Sequence, residues 1–510
     1  MNRKSFWISI LFFLIACSTH KKDDTAEKAL GLAVLDLLNT PYVRITPVAD
    51  TFTTQVDHKD GAFTYTATFD PKCSGAPNNV NFYFFRRTMK NANTKLLINF
   101  MGGGACWDDA NCFGSNTTTY FNQLNSVPDF ALDIIFKGVI DQGVGGNPFK
   151  DYDVIFVPYC TGDLHIGSKS TTYTRGTLHH NGYDNVISVL KFVQSAYPQL
   201  DNVFVIGQSA GGYGTLLNYP IIRETVTTIS SGADVRMLSD ASNGIVPTAA
   251  YGTGAAFFPK LDSSWGVEHG IGNGSGSSVT ISNSNLPQWV NGIGSTYTTT
   301  GTPSVDDYFK KVAAEYPNDR IGQYTAIFDG NQRFFYNVMG QINKINAATL
   351  TYNDNTTNDP NQSGRSYSAI YGDSDGSSLA DGNSSSSNNY TTCDWSKQAV
   401  SKMKGVQTSA PTNYRYYLAP GDVHTITTYN DMYSLVSGGV NFATWLNDFA
   451  TGTGSLPNSV QCNDSSGSCV NKNRISNSIN NSLGVVTSDG SFPIGQNLFT
   501  TCGNAAGLGL

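Results

Sequence analysis

Residues 202–212 read Asn-Val-Phe-Val-Ile-Gly-Gln-Ser-Ala-Gly-Gly. An apolar stretch runs straight into Gly-x-Ser-x-Gly. A chain that leaves a buried strand and enters a helix this abruptly must turn sharply. The residues two before and two after the Ser then have to be small, because the backbone passes close to itself. Gly207 and Gly211 meet that need, and the turn lifts the Ser209 hydroxyl off the end of the strand. In a chain with 51 Gly the bare pattern is weak. The strand in front of it makes it specific.

The same short apolar segments recur along the chain. Lys95–Phe100 runs into Gly102-Gly103-Gly104, and Tyr152–Pro158, Val235–Leu238, Tyr324–Phe328 and Tyr414–Leu418 have the same character. Tyr183–Ala196 carries helical spacing in Val186, Val189, Leu190 and Val193 and stops before Pro198. A second amphipathic helix is expected over about Val440–Ala450. Strands alternating with helices predict an α/β fold, a mostly parallel sheet with helices on both faces. Upstream, Phe63–Phe69 alternates like a half-buried strand, and Val80–Phe85 is rich in aromatics.

A Ser hydroxyl is a poor nucleophile without a base. In this architecture the order is Ser, acid, His. Two His follow Ser209: His269, in a Gly-rich loop, and His424, in a loop after the Tyr414–Leu418 strand. The strand-end position favours His424. His165, His179 and His180 precede the Ser and suit structural or cleft-lining roles. Two Asp between Ser209 and His424 sit at strand ends, Asp240 and Asp329. The acid normally emerges on a later strand than the nucleophile, which favours Asp329 and leaves Asp240 as the alternative. An oxyanion hole needs two preorganised N–H donors. Ala210, the residue after the Ser, supplies one. Gly103 and Gly104, in the loop after Lys95–Phe100, are candidates for the other. Trp107 in that loop is a candidate wall of the substrate pocket.

These segments, Gly102-Gly103-Gly104-Ala105-Cys106-Trp107, Gly207-Gln208-Ser209-Ala210-Gly211-Gly212, Ser239-Asp240-Ala241, Phe328-Asp329-Gly330-Asn331-Gln332 and the His424 loop, resemble the pectin acetylesterase/Notum family in content and order. The resemblance covers about 95–450. It implies an α/β-hydrolase-like fold and a serine carboxylesterase with a Ser209–His424–Asp329 triad and no cofactor. The sequence departs from the family pattern at Ala105, where Trp is usual, and at Thr425, where plant members have Cys. Family members deacetylate pectin or remove a palmitoleoyl group from a secreted signalling protein. The expected substrate is therefore an O-acyl ester, foremost O-acetyl on a polysaccharide or a small ester. A lipase-like preference for longer chains and a non-catalytic surface binding protein are the alternatives.

The remaining features place the chain. Arg3-Lys4, the apolar run Phe6–Ala16 and Leu14-Ile15-Ala16-Cys17 have the layout of an export signal with a bacterial lipobox. The expectation is a signal peptide over 1–16 and a lipid on Cys17, which anchors the protein to the membrane. A tether then spans 17–40. Ser18 after the Cys favours the outer membrane or cell surface of a Gram-negative-type bacterium. No later run approaches the roughly 20 apolar residues of a membrane span. Besides Cys17 there are eight Cys, an even number suited to disulfides in an exported protein. Cys106/Cys112 and Cys462/Cys469 are the natural local pairs, and the other connections stay open. No CxxC or HxxxH occurs, so no metal site is expected. With 32 Lys+Arg against 39 Asp+Glu and no basic stripe, nucleic-acid binding is not expected. The catalytic domain is expected over 41–450, interrupted by a polar insertion at 353–392. A Cys-containing extension over 451–510 is expected to pack on it, in a monomer.

Overall fold

The computed structural model describes residues 42–58, 61–75, 80–89, 93–108, 112–113, 132, 137–245, 261, 263–266, 280–281, 305–332, 335–336, 345–346, 351–352, 392–421, 423–462, 469 and 502–510. The expected signal segment 1–16, Cys17, the expected tether, His269, the polar insertion up to 391 and most of 463–501 lie outside the described residues.

Nine strands form the main sheet: β1 (Val43–Ile45), β2 (Phe84–Arg87), β3 (Lys95–Phe100), β4 (Asp153–Val157), β5 (Asn202–Gln208), β6 (Asp234–Asp240), β7 (Arg320–Ala326), β8 (Tyr414–Ala419) and β9 (Val460–Gln461). Their spatial order is β1-β2-β4-β3-β5-β6-β7-β8-β9. The β1–β2 and β2–β4 pairs are antiparallel. From β4 to β9 every neighbour is parallel. This is an α/β-hydrolase-like sheet. Its strand order reverses at β3, which lies between β4 and β5. At such a switch point the connections leave toward opposite faces and open a crevice at the strands' carboxyl ends.

Strand β5 shows why the sheet is buried on both sides. Val203 and Val205 enter one core cluster, while Phe204 and Ile206 enter the other. Alternate side chains of a strand point to opposite faces, so an unbroken apolar run requires cover above and below. On one face lie α1 (Gly182–Ala196), α2 (Ala210–Leu217), α3 (Tyr219–Ile229), α4 (Val305–Glu315) and α5 (Thr392–Ser409), which bury Val189, Leu216, Ile222, Phe309 and Met403 in that cluster. On the other, α6 (Phe442–Thr451) buries Trp445, Leu446 and Phe449. Each such side chain contributes about 1.5–3 kcal/mol.

Several boundaries differ from the sequence reading. Strand β7 begins at Arg320 and ends at Ala326 rather than spanning 324–328. Its polar start is tolerated because Arg320 Nη1 donates to Asp448 O at 2.9 Å. Ile327 and Phe328 have left the strand, yet their amides still donate to Ala419 O and Gly421 O, both at 2.9 Å. Helix α6 starts two residues late because Val440–Asn441 pairs with Val436–Ser437. The Asn441 side chain then caps the helix by accepting from Thr444 N at 3.1 Å. The Phe63–Phe69 alternation belongs to a hairpin, Asp50–His58 with Gly61–Phe69, outside the main sheet. Helix α5 begins at Thr392, the last residue assigned to the polar insertion.

The extension after 450 contributes β9, parallel to β8. Cys106–Cys112 and Cys462–Cys469 are bonded. Cys73 pairs with Cys160, 87 residues away, and Cys502 is disulfide-bonded as well. Loop-closure entropy makes the long link the more stabilising. Opening Cys73–Cys160 by paired Ala substitutions should cost about 4–5 kcal/mol, against about 2 kcal/mol for Cys106–Cys112. Denaturant titration of the two variants checks the ranking, and equal midpoints would contradict it.

Candidate active site

Four neighbouring parallel strands, β5 to β8, deliver Ser209, Asp240, Asp329 and His424 to one edge of the sheet. Ser209 follows β5 directly and precedes α2, with φ 56° and ψ −122°. An L-residue adopts such a conformation only when its surroundings impose it. Ser209 N donates to Asp240 O at 2.8 Å, and its carbonyl accepts from Gly212 N at 2.9 Å and Ser242 Oγ at 2.5 Å. A Cβ built on Gly207 would lie 2.1 Å from Gly211 O, and one on Gly211 would lie 2.0 Å from Phe100 O. The two glycines are therefore fixed by close backbone approach, as the elbow requires.

The loop after β3 runs beside this turn. A Cβ on Gly102 would meet Gln208 O at 2.3 Å and Ser209 Cβ at 2.9 Å. Gly103 abuts the Tyr159 ring in the same way, at 2.6 Å. Gly104 has φ +77°, which suits glycine. As the first residue of α2, Ala210 has an N–H without an intrahelical acceptor. Gly103, Gly104 and Ala210 thus sit on the two chain segments that flank Ser209. Trp107 is 1% exposed and packs in the core, so it is enclosed here.

The structure pairs His424 with Asp329, not with Asp240. His424 Nδ1 lies 2.9 Å from both Asp329 carboxylate oxygens. Asp329 is fully buried. It also accepts from Gln332 N at 2.9 Å and Gln332 Nε2 at 3.0 Å. Gln332 is held in turn: its Nε2 donates to Thr325 Oγ1 at 2.9 Å, and its Oε1 accepts from Asn243 N at 2.7 Å. A proton on Nδ1 directed at a carboxylate leaves Nε2 as the basic nitrogen.

Asp240 serves the loop that carries His424. Its Oδ2 accepts from Ile426 N at 2.9 Å, Thr427 N at 2.8 Å and Thr427 Oγ1 at 2.6 Å. Gln208, the residue before Ser209, donates Nε2 to Thr427 Oγ1 at 3.0 Å and to Asn99 Oδ1 at 2.9 Å. The His424 loop is therefore tied directly to the residue preceding Ser209. No hydrogen bond joins the Ser209 hydroxyl to His424 in this structure. Among the described residues no group of acidic, His or Cys side chains is arranged to hold a metal ion.

The sequence reading quoted Gln208 and Gln332 only as members of the resembling segments, without a role, and did not single out Thr427. Gln332 carried a signal, since a Gln three residues after a strand-end Asp reaches back to it. Thr427 carried none, because its partners lie on other strands.

A family model described as Pectinacetylesterase matches residues 77–245. Over those residues the chain is similar to the pectinacetylesterase family. The match includes the Gly102–Gly104 loop, Ser209 and Asp240, and it ends before Asp329 and His424. Palmitoleoyl-protein carboxylesterase NOTUM of Schmidtea mediterranea is 32% identical over 139 residues, 27% of this chain and 26% of that protein. Palmitoleoyl-protein carboxylesterase notum2 of Xenopus laevis is 29% identical over 171 residues, 31% of this chain and 32% of that protein. The aligned stretch thus spans about a quarter to a third of these relatives. The solved Wnt deacylase Notum from Drosophila covers 84% of this chain and all of its own, at 13% identity and a TM-score of 0.49.

Burial pushes the Asp240 carboxyl up to about 6, despite the donors from Thr427 and Ile426 that favour its charge. Between pH 3.8 and 6 the folded state therefore holds this proton and the unfolded state does not. The contribution of that proton to stability is present below 3.8 and is lost as pH rises through 6. Relative to Asp240→Asn, the wild type should lose stability as pH is raised from 4 to 6.5. Urea titrations across that range give the difference, and a flat difference would mean that Asp240 titrates alike folded and unfolded.

Proposed function

We propose that this chain is a serine carboxylesterase acting on O-acyl esters through Ser209, His424 and Asp329. The observation that carries the reading is the two-oxygen contact of Asp329 with His424 Nδ1, on a loop tied to the residue before Ser209. The family match over the nucleophile half supports it.

In this mechanism His424 Nε2 takes the Ser209 proton as Oγ attacks the acyl carbonyl. Asp329 orients the ring and stabilises its charged form. Amides of Ala210 and the Gly103–Gly104 loop receive the developing oxyanion. The imidazolium returns its proton to the departing alcohol, leaving an acyl-enzyme. Water attacks the acyl carbonyl with His424 again as base, and the acid and free Ser209 are released. The Ser209–His424 hydrogen bond closes when substrate is bound, a common change between free and substrate-bound enzymes.

For the substrate we favour a short acyl group, foremost O-acetyl on a carbohydrate. The names of the curated relatives point to palmitoleoyl esters on protein, which keeps a long-chain reading in play. The lipobox-like Leu14-Ile15-Ala16-Cys17 supports a bacterial-surface location in this proposal, with anchoring through Cys17.

Ser209→Ala and His424→Ala should each abolish turnover of p-nitrophenyl acetate to within the residual activity of the oxyanion site. Asp329→Asn should lower kcat by about 10⁴, and Asp240→Asn should cost far less. The reverse ranking of the two Asp variants would move the acid to Asp240. Across p-nitrophenyl esters of two to sixteen carbons, kcat/KM should peak at the short end, and a maximum near sixteen would select the long-chain reading.

A further inference from the structure

The loop after β4, Tyr159–Gly167, grips the Met101–Trp107 loop at three points. His165 Nε2 lies 2.8 Å from Met101 O. The Tyr159 ring lies against Gly103 so tightly that a Cβ there would come within 2.6 Å. Cys106 N donates to Gly162 O at 2.8 Å. We propose that His165 is a positioning residue for the oxyanion hole: its ring N–H fixes the Met101 carbonyl and thereby sets the course of the glycine loop past Ser209. The proposal rests on the esterase reading above.

A peptide unit is planar, so fixing a carbonyl fixes the following N–H in the opposite direction. The next three residues are glycines, whose own conformational preferences do not restrain them. External contacts must therefore aim their amides. Met101 N is already held by Val157 O at 3.0 Å. Its carbonyl, held by His165, is the last anchored acceptor before the glycines begin.

The His165 ring is well seated for the task. It lies 5.1 Å from the Phe100 ring and 4.7 Å from the Tyr159 ring. On the other side it touches α2, the helix that begins after Ser209. A Cβ on Gly214 would lie 2.8 Å from the His165 ring. His165 O accepts from Asn218 Nδ2 at 3.1 Å. One residue thus bridges the nucleophile's helix and the glycine loop. Burial holds the His165 pKa down to about 4, so the ring is neutral at ordinary pH. A neutral ring carries one proton, and the bond to Met101 O places it on Nε2.

His165 has φ 62° and Leu164 φ 57°, an uncommon pair for non-glycine residues. The fully buried Asp163 holds that backbone in place. One of its oxygens accepts from Thr161 Oγ1 at 2.5 Å and His165 N at 3.1 Å. The other accepts from Gly182 N at 2.7 Å and Gly167 N at 3.1 Å. Leu164 N donates to Tyr159 Oη at 2.8 Å. Both Asp163 oxygens are acceptors, so an Asn in its place would turn an NH₂ toward donors in either orientation.

The test compares His165→Phe, which keeps a flat ring without a donor, with His165→Gln, which can return an N–H near the Nε2 position. His165→Phe should lower kcat on p-nitrophenyl acetate about 30-fold, less than the loss of a whole oxyanion donor, with KM within about threefold. It should weaken inhibition by a short alkyl trifluoromethyl ketone, which forms a tetrahedral oxyanion at Ser209, by a similar factor. His165→Gln should recover both to within about fivefold of wild type. Unchanged kcat in His165→Phe, or equal losses in Phe and Gln variants of equal melting temperature, would overturn the proposal. If His165→Phe does not fold, Tyr159→Phe takes its place, since it removes only the hydroxyl that accepts Leu164 N. It should then lower kcat about threefold or more, and an unchanged kcat would count against the cradle. A Ser209→Ala protein as active as wild type would instead sink the esterase reading itself.

Discussion

The backbone turn at Ser209 is the constraint around which this edge of the sheet is built. A non-glycine residue at φ 56° is held there at a cost of about 1–3 kcal/mol. The surroundings leave it no relaxed alternative. Gly207 and Gly211 close on each other and on β3, Gly102 presses on the Ser209 side chain, and Asp240 O takes the Ser209 amide. The contacts of Gly211 with Phe100, of Gly102 with Ser209 and of Ser209 N with Asp240 O are available only when β3, β5 and β6 lie side by side in register. The strain is thus sustained by the two-faced core beneath it, where Phe204 and Ile206 pack one way and Val203 and Val205 the other.

Two buried carboxylates one strand apart divide the work by what they accept from. Asp329 receives the His424 ring and the side-chain and main-chain N–H of Gln332. Asp240 receives only main-chain amides and a hydroxyl from Ile426 and Thr427. The first arrangement orients an imidazole. The second orients the peptide on which that imidazole is mounted. Asp240 also joins the two halves of the site through one residue, with its carbonyl on Ser209 N and its carboxylate on the His424 loop. Unpaired charge in such a place would be costly to bury, and three donors on one oxygen are what make it tolerable.

What could be read from the sequence followed from chain-local chemistry. The strand β5, the elbow, the glycine loop and the strand-end Asp329 each announce themselves within about ten residues. Chain order and strand-end position chose His424 over His269, and the same logic ranked Asp329 ahead of Asp240. The structure puts His424 and Asp329 in contact. Gln208–Thr427, Asp240–Thr427 and His165–Met101 were not legible, since each links chain segments far apart in sequence. Strand β7 was displaced because Gly322 and Gln323 do not look apolar. Yet Gly322 is closely packed there: a Cβ would come within 2.8 Å of the Leu238 and Phe449 side chains. The Cys73–Cys160 link depended on the hairpin region lying beside the end of β4, which no local pattern reveals.

The family match takes in Ser209 and ends at residue 245, ahead of the Asp329–His424 pair. Their alignment depends on how firmly the later part is docked. The strands answer part of this, with β7 and β8 continuing the parallel sheet from β6. The extension answers more. Cys462 N donates to Leu418 O at 3.2 Å, and Cys469 O accepts from Gly421 N at 3.2 Å. The Cys462–Cys469 bond therefore braces the end of β8 and the start of the loop bearing His424. Ser437 Oγ donates to that same Leu418 O at 2.6 Å from the other direction. In the proposed mechanism, a base that must meet a strained hydroxyl from a separate strand needs its loop held at both ends. Here the disulfide-closed extension holds the first end, while Asp240 and Gln208 hold the second.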